Sequence, residues 1–430
     1  MKTSALCLFL LATFLHAEPT ESREWQATSG HKTEARALSA TAATVTLELA
    51  SGKTVTLALD KLVPADRETI LSHFKIEAPK EGEPVRSGDA PLSGEGLDYP
   101  VGEVKGNVES APDSHFHIYL PKSLKQGRPA PVLHFNNSGT VDPAGLSVYI
   151  PACERFVWIL VASAESSNNA PAGANLKYAT ANIEMLREDP LVDTDRIYFT
   201  GNSGGGAQSW VNCAALKGAG TMPNIGYIPR EVKISKGHHF ITGGALDYNR
   251  YLSAHAASRF PKDAVYRAFP GGHSDVSEKW IREEGIAWLT AKYLSEKSKD
   301  SAFAGQRLDF EAAVIDWMAE LSGDMPHLAY HIGRMMQDVY EVSGENGKII
   351  AGKVAELAKN AENLRFSEGL KALHEFGIKS LADEGSNGGS AFDSSVPAIS
   401  RKAAALSAEY AGVEFVENTF KELSENTVGK

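Results

Sequence analysis

A serine flanked by glycines is the clearest candidate for chemistry in this sequence. The five residues Gly201–Gly205 read G-N-S-G-G, which fits the pattern G-x-S-x-G, and they follow the apolar run Arg196 to Thr200. Residues Ala207 to Leu216 then predict a helix. In a sharp turn from a strand into a helix, such glycines relieve crowding and leave the serine hydroxyl exposed. We therefore predict that Ser203 is a nucleophile.

A serine hydroxyl is a weak nucleophile at neutral pH, so it needs a histidine base and a carboxylate that orients the histidine. Where serine occupies such a turn, the acid and then the histidine follow later in the chain, each after a strand. Asp247 follows the predicted strand His239 to Thr242, and His273 follows the predicted strand Ala264 to Phe269. Asp247 is therefore the predicted acid and His273 the predicted base.

Other residues compete for these two roles. Asp263 and Asp275 flank the last strand and its histidine, and Asp247 itself could instead cap a helix. The pair His238-His239 is an alternative source of the base. Adjacent side chains on a strand point to opposite faces, so we interpret that pair as structural.

Acyl transfer also needs donors for the oxyanion that develops during the reaction. The backbone N–H of Gly204, directly after the serine, is the first predicted donor. The second is expected from the loop that follows the strand Pro131 to Phe135, where Asn136 or Asn137 is the candidate.

The elements around these residues alternate between strands and helices from about 101 to 298, which predicts a parallel sheet covered on both faces. About 23 residues separate the helix after Ser203 from the strand before Asp247, which predicts an open site without a large lid. The candidate strands are His115 to Leu120, Pro131 to Phe135, Val157 to Ala162, Arg196 to Thr200, Asn224 to Ile228, His239 to Thr242 and Ala264 to Phe269.

The stretch Asp193 to Gly206 resembles the α/β-hydrolase superfamily, and the resemblance extends over roughly residues 102 to 295. It is most similar to the secreted feruloyl esterase and polyhydroxyalkanoate depolymerase-like branch, with prolyl oligopeptidase-type peptidases as relatives. The resemblance implies a hydrolase without a cofactor in which Ser203, Asp247 and His273 act together. The chain departs from the common pattern because Asn136-Asn137 stands where a His-Gly pair is usual.

The N-terminal part has three predicted pieces. Residues 1–17 have the charged start, apolar run and small residue of a secretory signal peptide, which predicts a secreted or periplasmic protein. Residues 24–74 alternate around Gly52 as a β-hairpin does and resemble Sla homology domain 1, a small SH3-like barrel, which implies an envelope partner or a spacer role. Residues 75–100 are rich in Pro, Gly and charge and predict a linker.

Residues 299–430 predict a helical domain of unassigned role. Apolar residues recur at helical spacing from Phe310 to Leu321 and from Leu328 to Val339, and a last helical stretch is predicted from Pro397 to Leu423. The expected fold is thus an α/β-hydrolase sheet, an N-terminal SH3-like β-barrel and a C-terminal helical domain.

Composition narrows the choice of function. The formal net charge of −11 argues against a nucleic-acid partner. Past the N-terminus no apolar run is long enough to span a membrane. No dinucleotide fingerprint or zinc-ligand cluster is present, so neither cofactor nor metal is predicted. Cys153 and Cys213 could form a disulfide or could both be buried thiols.

The sequence therefore predicts a secreted serine hydrolase that cleaves carboxylic esters of small molecules or polysaccharides through an acyl-enzyme intermediate. Two alternatives stay open: a prolyl oligopeptidase-like peptidase, and a catalytically inactive interaction protein of the cell envelope.

Overall fold

The computed structural model describes residues 18–425 except 79, 81, 94–97, 235, 276 and 384–396. The predicted signal peptide at residues 1–17 lies outside the described residues. The chain divides into two compact units, one comprising Met1–Gly88 with Lys299–Asp309, and the other Asp89–Ser298 with Phe310–Lys430.

The described residues form twelve strands and twelve α-helices, which we number in chain order. The strands are β1 (Arg23–Gln26), β2 (Lys32–Ala40), β3 (Thr44–Leu49), β4 (Thr54–Ala58), β5 (Val104–Ala111), β6 (Ser114–Tyr119), β7 (Ala130–Asn136), β8 (Ile159–Ser163), β9 (Val192–Asn202), β10 (Gly220–Asn224), β11 (His238–Gly244) and β12 (Ala264–Phe269). The helices are α1 (Pro64–His73), α2 (Ile150–Phe156), α3 (Ala174–Arg187), α4 (Gly204–Leu216), α5 (Arg250–Ser258), α6 (Lys279–Glu296), α7 (Ala304–Asp324), α8 (Pro326–Val339), α9 (Gly344–Leu357), α10 (Ala361–Phe376), α11 (Pro397–Glu409) and α12 (Glu414–Ser424).

The first unit contains a four-stranded antiparallel sheet in the order β1-β2-β3-β4. The predicted hairpin is confirmed, because Leu47 on β3 lies opposite Val55 on β4 and Gly52 has the positive φ of 78° that its turn requires. Helix α1 begins at Pro64, where a proline costs no hydrogen bond. Trp25 and Ile70 are among the buried side chains that join the sheet to this helix, which makes a small β domain.

The second unit is built on an eight-stranded sheet in the order β12-β11-β10-β9-β7-β8-β6-β5. Strands β7 to β12 run parallel to one another, while β6 is antiparallel to both of its neighbours. Every residue of β7, β8, β10 and β11 is buried, and because side chains alternate between faces, both faces of the sheet are covered. The sheet is thus of the α/β-hydrolase-like type.

Two strand predictions were wrong. The strand expected at Asn224 to Ile228 is β10, which ends at Asn224; Ile225 leaves the strand with a positive φ of 49°. Strand β5 was missed because its exposed and half-buried residues alternate at a sheet edge and do not form an apolar run.

The predicted helical stretch from Pro397 to Leu423 is confirmed. It is two helices, α11 and α12, because Gly412 adopts a positive φ of 85° and turns the chain between them.

The helices after Phe310 belong to the same compact unit as the sheet and do not separate from it at residue 299. Strand β12 is the edge strand that they cover. The backbone N–H of Tyr266 donates to Nδ1 of His374 at 3.0 Å, and the Arg267 guanidinium donates to the carbonyl of Leu370 at 3.1 Å. Arg267 also pairs with buried Glu284 on α6.

Two further sequence questions concern thiols and membranes. Cys153 and Cys213 are both buried and free, so they form no disulfide in this structure. Within the described ranges, no helix combines the length and the apolar content needed to cross a membrane.

Candidate active site

Ser203 occupies the turn between β9 and α4 in a conformation that few residues other than glycine adopt, with φ 52° and ψ −117°. Such a conformation costs about 1–3 kcal/mol and persists only where its surroundings hold it. Here the Ser203 N–H donates to the carbonyl of Asn224 at 3.0 Å, and the Ser203 carbonyl accepts from the Ala207 N–H at 2.9 Å. The backbone therefore fixes the direction of the serine side chain.

The glycines around Ser203 permit close backbone packing at this turn. A methyl group on Gly201 or on Gly205 would overlap the carbonyl oxygen of Asn136, the last residue of β7. A methyl group on Gly205 would also lie 2.8 Å from the Cα of Asn137. The end of β7 thus lies directly against the serine turn, and only glycine fits there.

The structure brings the three predicted partners into one hydrogen-bonded chain. Ser203 Oγ lies 2.7 Å from Nε2 of His273, and Nδ1 of His273 lies 2.8 Å from Oδ1 of Asp247. This geometry can remove the serine proton with a histidine that a carboxylate orients.

The competing residues lie elsewhere. The Asp263 carboxylate faces Lys292 at 3.0 Å, and the Asp275 carboxylate accepts from the backbone N–H of Gly272 at 2.6 Å. The neighbours His238 and His239 have separate surroundings, as their alternation on β11 requires. His239 is buried between the rings of Trp210 and Phe260, whereas His238 lies 3.2 Å from Glu296.

Burial distinguishes the acid from the base. The Asp247 side chain is 0% exposed, whereas that of His273 is 24% exposed. Burial raises the pKa of the Asp247 carboxyl, although hydrogen bonds from the Asn249 N–H and from His273 oppose this change. Asp247 Oδ2 has no hydrogen-bond partner among the described residues. The carboxylate is thus destabilised by burial and is held through Oδ1 by the Asn249 N–H and the imidazole.

The predicted oxyanion donors divide into two groups. Gly204 is the first residue of α4, where a backbone N–H has no partner within the helix, and the backbone of Asn137 lies against the same turn. The Asn136 side chain is fully buried, with Nδ2 3.3 Å from Nδ1 of His134, so it does not reach the serine hydroxyl. The side-chain amide of Asn168, which the sequence analysis missed, lies against the Cα of Gly204.

Tyr248 is a second neighbour that the sequence analysis missed. Its ring stacks on the imidazole of His273 with a centroid separation of 3.9 Å and an interplanar angle of 27°. Burial raises the pKa of the Tyr248 hydroxyl, and the nearby Ser203 side chain opposes that change. Tyr248 follows Asp247 directly, and an aromatic residue beside a predicted acid is the signal that could have revealed it.

The loop that carries His273 is held at three backbone groups. The Gly271 N–H donates to Oε2 of Glu422 on α12 at 2.6 Å, and the Gly271 carbonyl accepts from the Leu246 N–H at 2.8 Å. The third contact is the one between Gly272 and Asp275 described above. A residue of the C-terminal helices is thus part of the support for His273.

Comparisons with known proteins give limited information. No family model and no curated protein matches the chain. Among solved structures it is similar to an α/β hydrolase from the metagenome of Lake Arreo, with 16% identity over 50% of this chain and 84% of that chain and a TM-score of 0.35. Esterase 2 of Thermogutta terrifontis shows 14% identity over 45% and 94%, with a TM-score of 0.36. The carboxylesterase EstE1 from a metagenomic library shows 13% identity over 50% and 90%, with a TM-score of 0.35. These scores are too low to assign a fold or an activity to this chain.

Proposed function

We propose that this chain is a serine hydrolase that cleaves carboxylic esters through an acyl-enzyme intermediate. The observation that carries the proposal is the chain of hydrogen bonds from Ser203 Oγ through His273 to buried Asp247. A strained serine at the start of α4, whose first N–H groups have no partner within the helix, supports the same chemistry.

In the proposed reaction, His273 Nε2 takes the proton of Ser203 while Oγ attacks the ester carbonyl carbon. The oxyanion accepts hydrogen bonds from the backbone N–H groups of Gly204 and Asn137. His273 then gives the proton to the departing alcohol, and a water molecule repeats the sequence on the acyl-enzyme. Asp247 holds the imidazole in the required tautomer and stabilises its protonated form.

A kinetic comparison of two serine variants tests the proposal. Wild type, Ser203→Ala and the control Ser298→Ala, which changes an exposed serine after α6, are assayed with p-nitrophenyl butyrate. We expect turnover by wild type and the control, and a loss of roughly 10⁴-fold or more in Ser203→Ala with an unchanged melting temperature. Equal activity in all three proteins would contradict the assignment.

The choice of substrate separates esterase from peptidase. We propose an ester because nothing in the described part of the chain forms a propeller-sized second domain, which the prolyl oligopeptidase-like alternative would need. Chromogenic dipeptides should therefore be cleaved far more slowly than p-nitrophenyl butyrate. Faster cleavage of the dipeptides would establish the peptidase instead.

We also propose that the protein is exported and that its small N-terminal β domain is an SH3-like module for an envelope partner. The motif at residues 1–17 and the resemblance at 24–74 support this, as does the resemblance of the stretch Asp193 to Gly206 to a branch of secreted enzymes. N-terminal sequencing of protein from a secreting host should begin at Glu18. A mature chain that retains Met1 would contradict export by cleavage.

A further inference from the structure

Tyr248 is unusual among the apolar side chains of the described residues. It is 44% exposed, and the other large apolar side chains that are exposed, Met185 and Met325, lie on or beside helices away from the serine turn. The ring nevertheless lies face to face with His273 at 3.9 Å. An exposed tyrosine that covers His273 is positioned to contact substrate.

The same turn places Asp247 and Tyr248 on different parts of the imidazole. Asp247 Oδ1 meets the ring edge at Nδ1, while the Tyr248 ring covers a face. The backbone N–H of Asn249 fixes this turn by donating to Asp247 Oδ1 at 2.9 Å. The position of Tyr248 is therefore set by the element that sets the acid.

The Tyr248 hydroxyl also lies near the nucleophile: burial raises the pKa of this hydroxyl, and the Ser203 side chain opposes that change. Ser203 has one hydroxyl proton, and with that proton donated to His273 Nε2 at 2.7 Å its oxygen can accept from the phenol. Once Oγ becomes an ester oxygen in the acyl-enzyme, it is a poorer acceptor. The departing alcohol oxygen, which takes its proton from His273 Nε2, is then the acceptor that gains charge beside the phenol.

We propose that Tyr248 is a further catalytic residue whose hydroxyl donates a hydrogen bond to the leaving-group oxygen during acylation, while its ring stabilises the protonated His273. This role rests on the proposed ester hydrolysis. The serine proton passes to His273 Nε2, the bond from carbonyl carbon to alcohol oxygen breaks, its electron pair stays on that oxygen, and the oxygen takes the proton from Nε2. Tyr248 keeps its own proton throughout.

The proposal predicts a dependence on the leaving group. A p-nitrophenolate departs readily without a hydrogen bond, whereas an alkoxide carries much more negative charge and needs one. The tyrosine hydroxyl should therefore matter for alkyl esters and little for p-nitrophenyl esters. A residue with only a structural role would affect both substrates alike.

The test measures kcat/KM for ethyl butyrate and p-nitrophenyl butyrate, which give the same acyl-enzyme. The variants are Tyr248→Phe, which keeps the ring, and Tyr248→Leu, which removes it, with Tyr178→Phe on α3 as the control. We expect Tyr248→Phe to lose about tenfold on ethyl butyrate and less than about threefold on p-nitrophenyl butyrate. Tyr248→Leu should lose about a further fivefold on both esters, because the ring no longer faces the imidazolium.

The outcomes separate this proposal from the one on which it rests. An inactive wild type with an unlabelled Ser203 would overturn the ester hydrolase and, with it, the role of Tyr248. An active wild type with equal losses on both esters, or with no loss in Tyr248→Phe, would overturn the role of Tyr248 alone. If Tyr248→Leu fails to fold, the leaving-group dependence of Tyr248→Phe still tests the role of the Tyr248 hydroxyl.

Discussion

The acid and base loops, defined as residues 245–249 after β11 and 270–275 after β12, are held in different ways. In the acid loop, Asp247 is held by residues close to it in sequence. Its N–H donates to the Gly244 carbonyl, and its carboxylate accepts from the Asn249 N–H. The base loop depends on a distant residue, Glu422, which is 151 positions from its partner Gly271. The acid is thus fixed by its own segment and the base partly by the end of the chain.

The residues proposed to carry out the reaction therefore differ from the residue that holds the base loop in place. Asp247 is fully buried, and burial raises its pKa, while His273 is partly exposed and lies within hydrogen-bond distance of Ser203. Removing a side chain of the Ser203–His273–Asp247 chain should abolish the reaction. Removing the Glu422 side chain should only disturb the geometry of the base loop.

The largest expected effect is on the base itself. His273→Ala should lower kcat by roughly 10⁶-fold, because no other group near Ser203 Oγ can take its proton. Burst and steady-state assays with p-nitrophenyl butyrate measure this loss. A decrease below about 100-fold would mean that another residue acts as the base.

Asp247→Asn should lower kcat by about 10⁴-fold, because the imidazole loses the partner that fixes its tautomer. The same variant should be more stable than wild type at neutral pH. The raised folded-state pKa means that the folded state holds its proton more tightly than the unfolded state, so stability falls as pH rises through that pKa. Kinetics and thermal denaturation at pH 7 check both effects, and a lower melting temperature would contradict the second.

Glu422→Ala should lower kcat about tenfold and leave KM nearly unchanged, because the Gly271 N–H loses its acceptor and the base loop loosens. Glu422→Gln should recover most of the activity, since its amide oxygen can still accept from Gly271. Glu425→Ala, which changes the exposed glutamate directly after α12, is the control. If Gln and Ala lower kcat equally, the hydrogen bond is not what supports the loop.

The smallest expected effect is a pH dependence of stability from buried histidines. Burial lowers the pKa of His134 to about 4 and of His239 to about 3, and burial together with Arg267 lowers that of His374 to about 4. The unfolded state then binds more protons below pH about 6.5, so stability present above that pH is lost as pH falls towards 4.

Unfolding by urea between pH 4 and 7 measures that loss. His374→Asn, whose side-chain oxygen can still accept from the Tyr266 N–H on β12, should show a shallower fall with pH than wild type. Identical slopes would exclude His374 as a contributor.

Sequence reasoning selected Asp247 and His273, which the structure joins to Ser203 by hydrogen bonds, because each is a polar residue that follows the end of a strand. It placed β10 four residues too late, since apolar runs do not mark the residue at which φ turns positive. It selected Asn136 and Asn137 together, but could not tell that the Asn136 side chain turns towards His134. Glu422 and Asn168 reach the site only through tertiary packing, so their spacing in the sequence does not predict their place in the site.

The central claim is that His273 activates Ser203, and covalent labelling tests it most directly. Wild type and His273→Ala are incubated with diisopropyl fluorophosphate and analysed by peptide mass spectrometry. We predict one stoichiometric adduct on Ser203 in wild type and almost none in His273→Ala over the same time. A folded wild type that stays unlabelled, or that is labelled on another residue, would contradict the account.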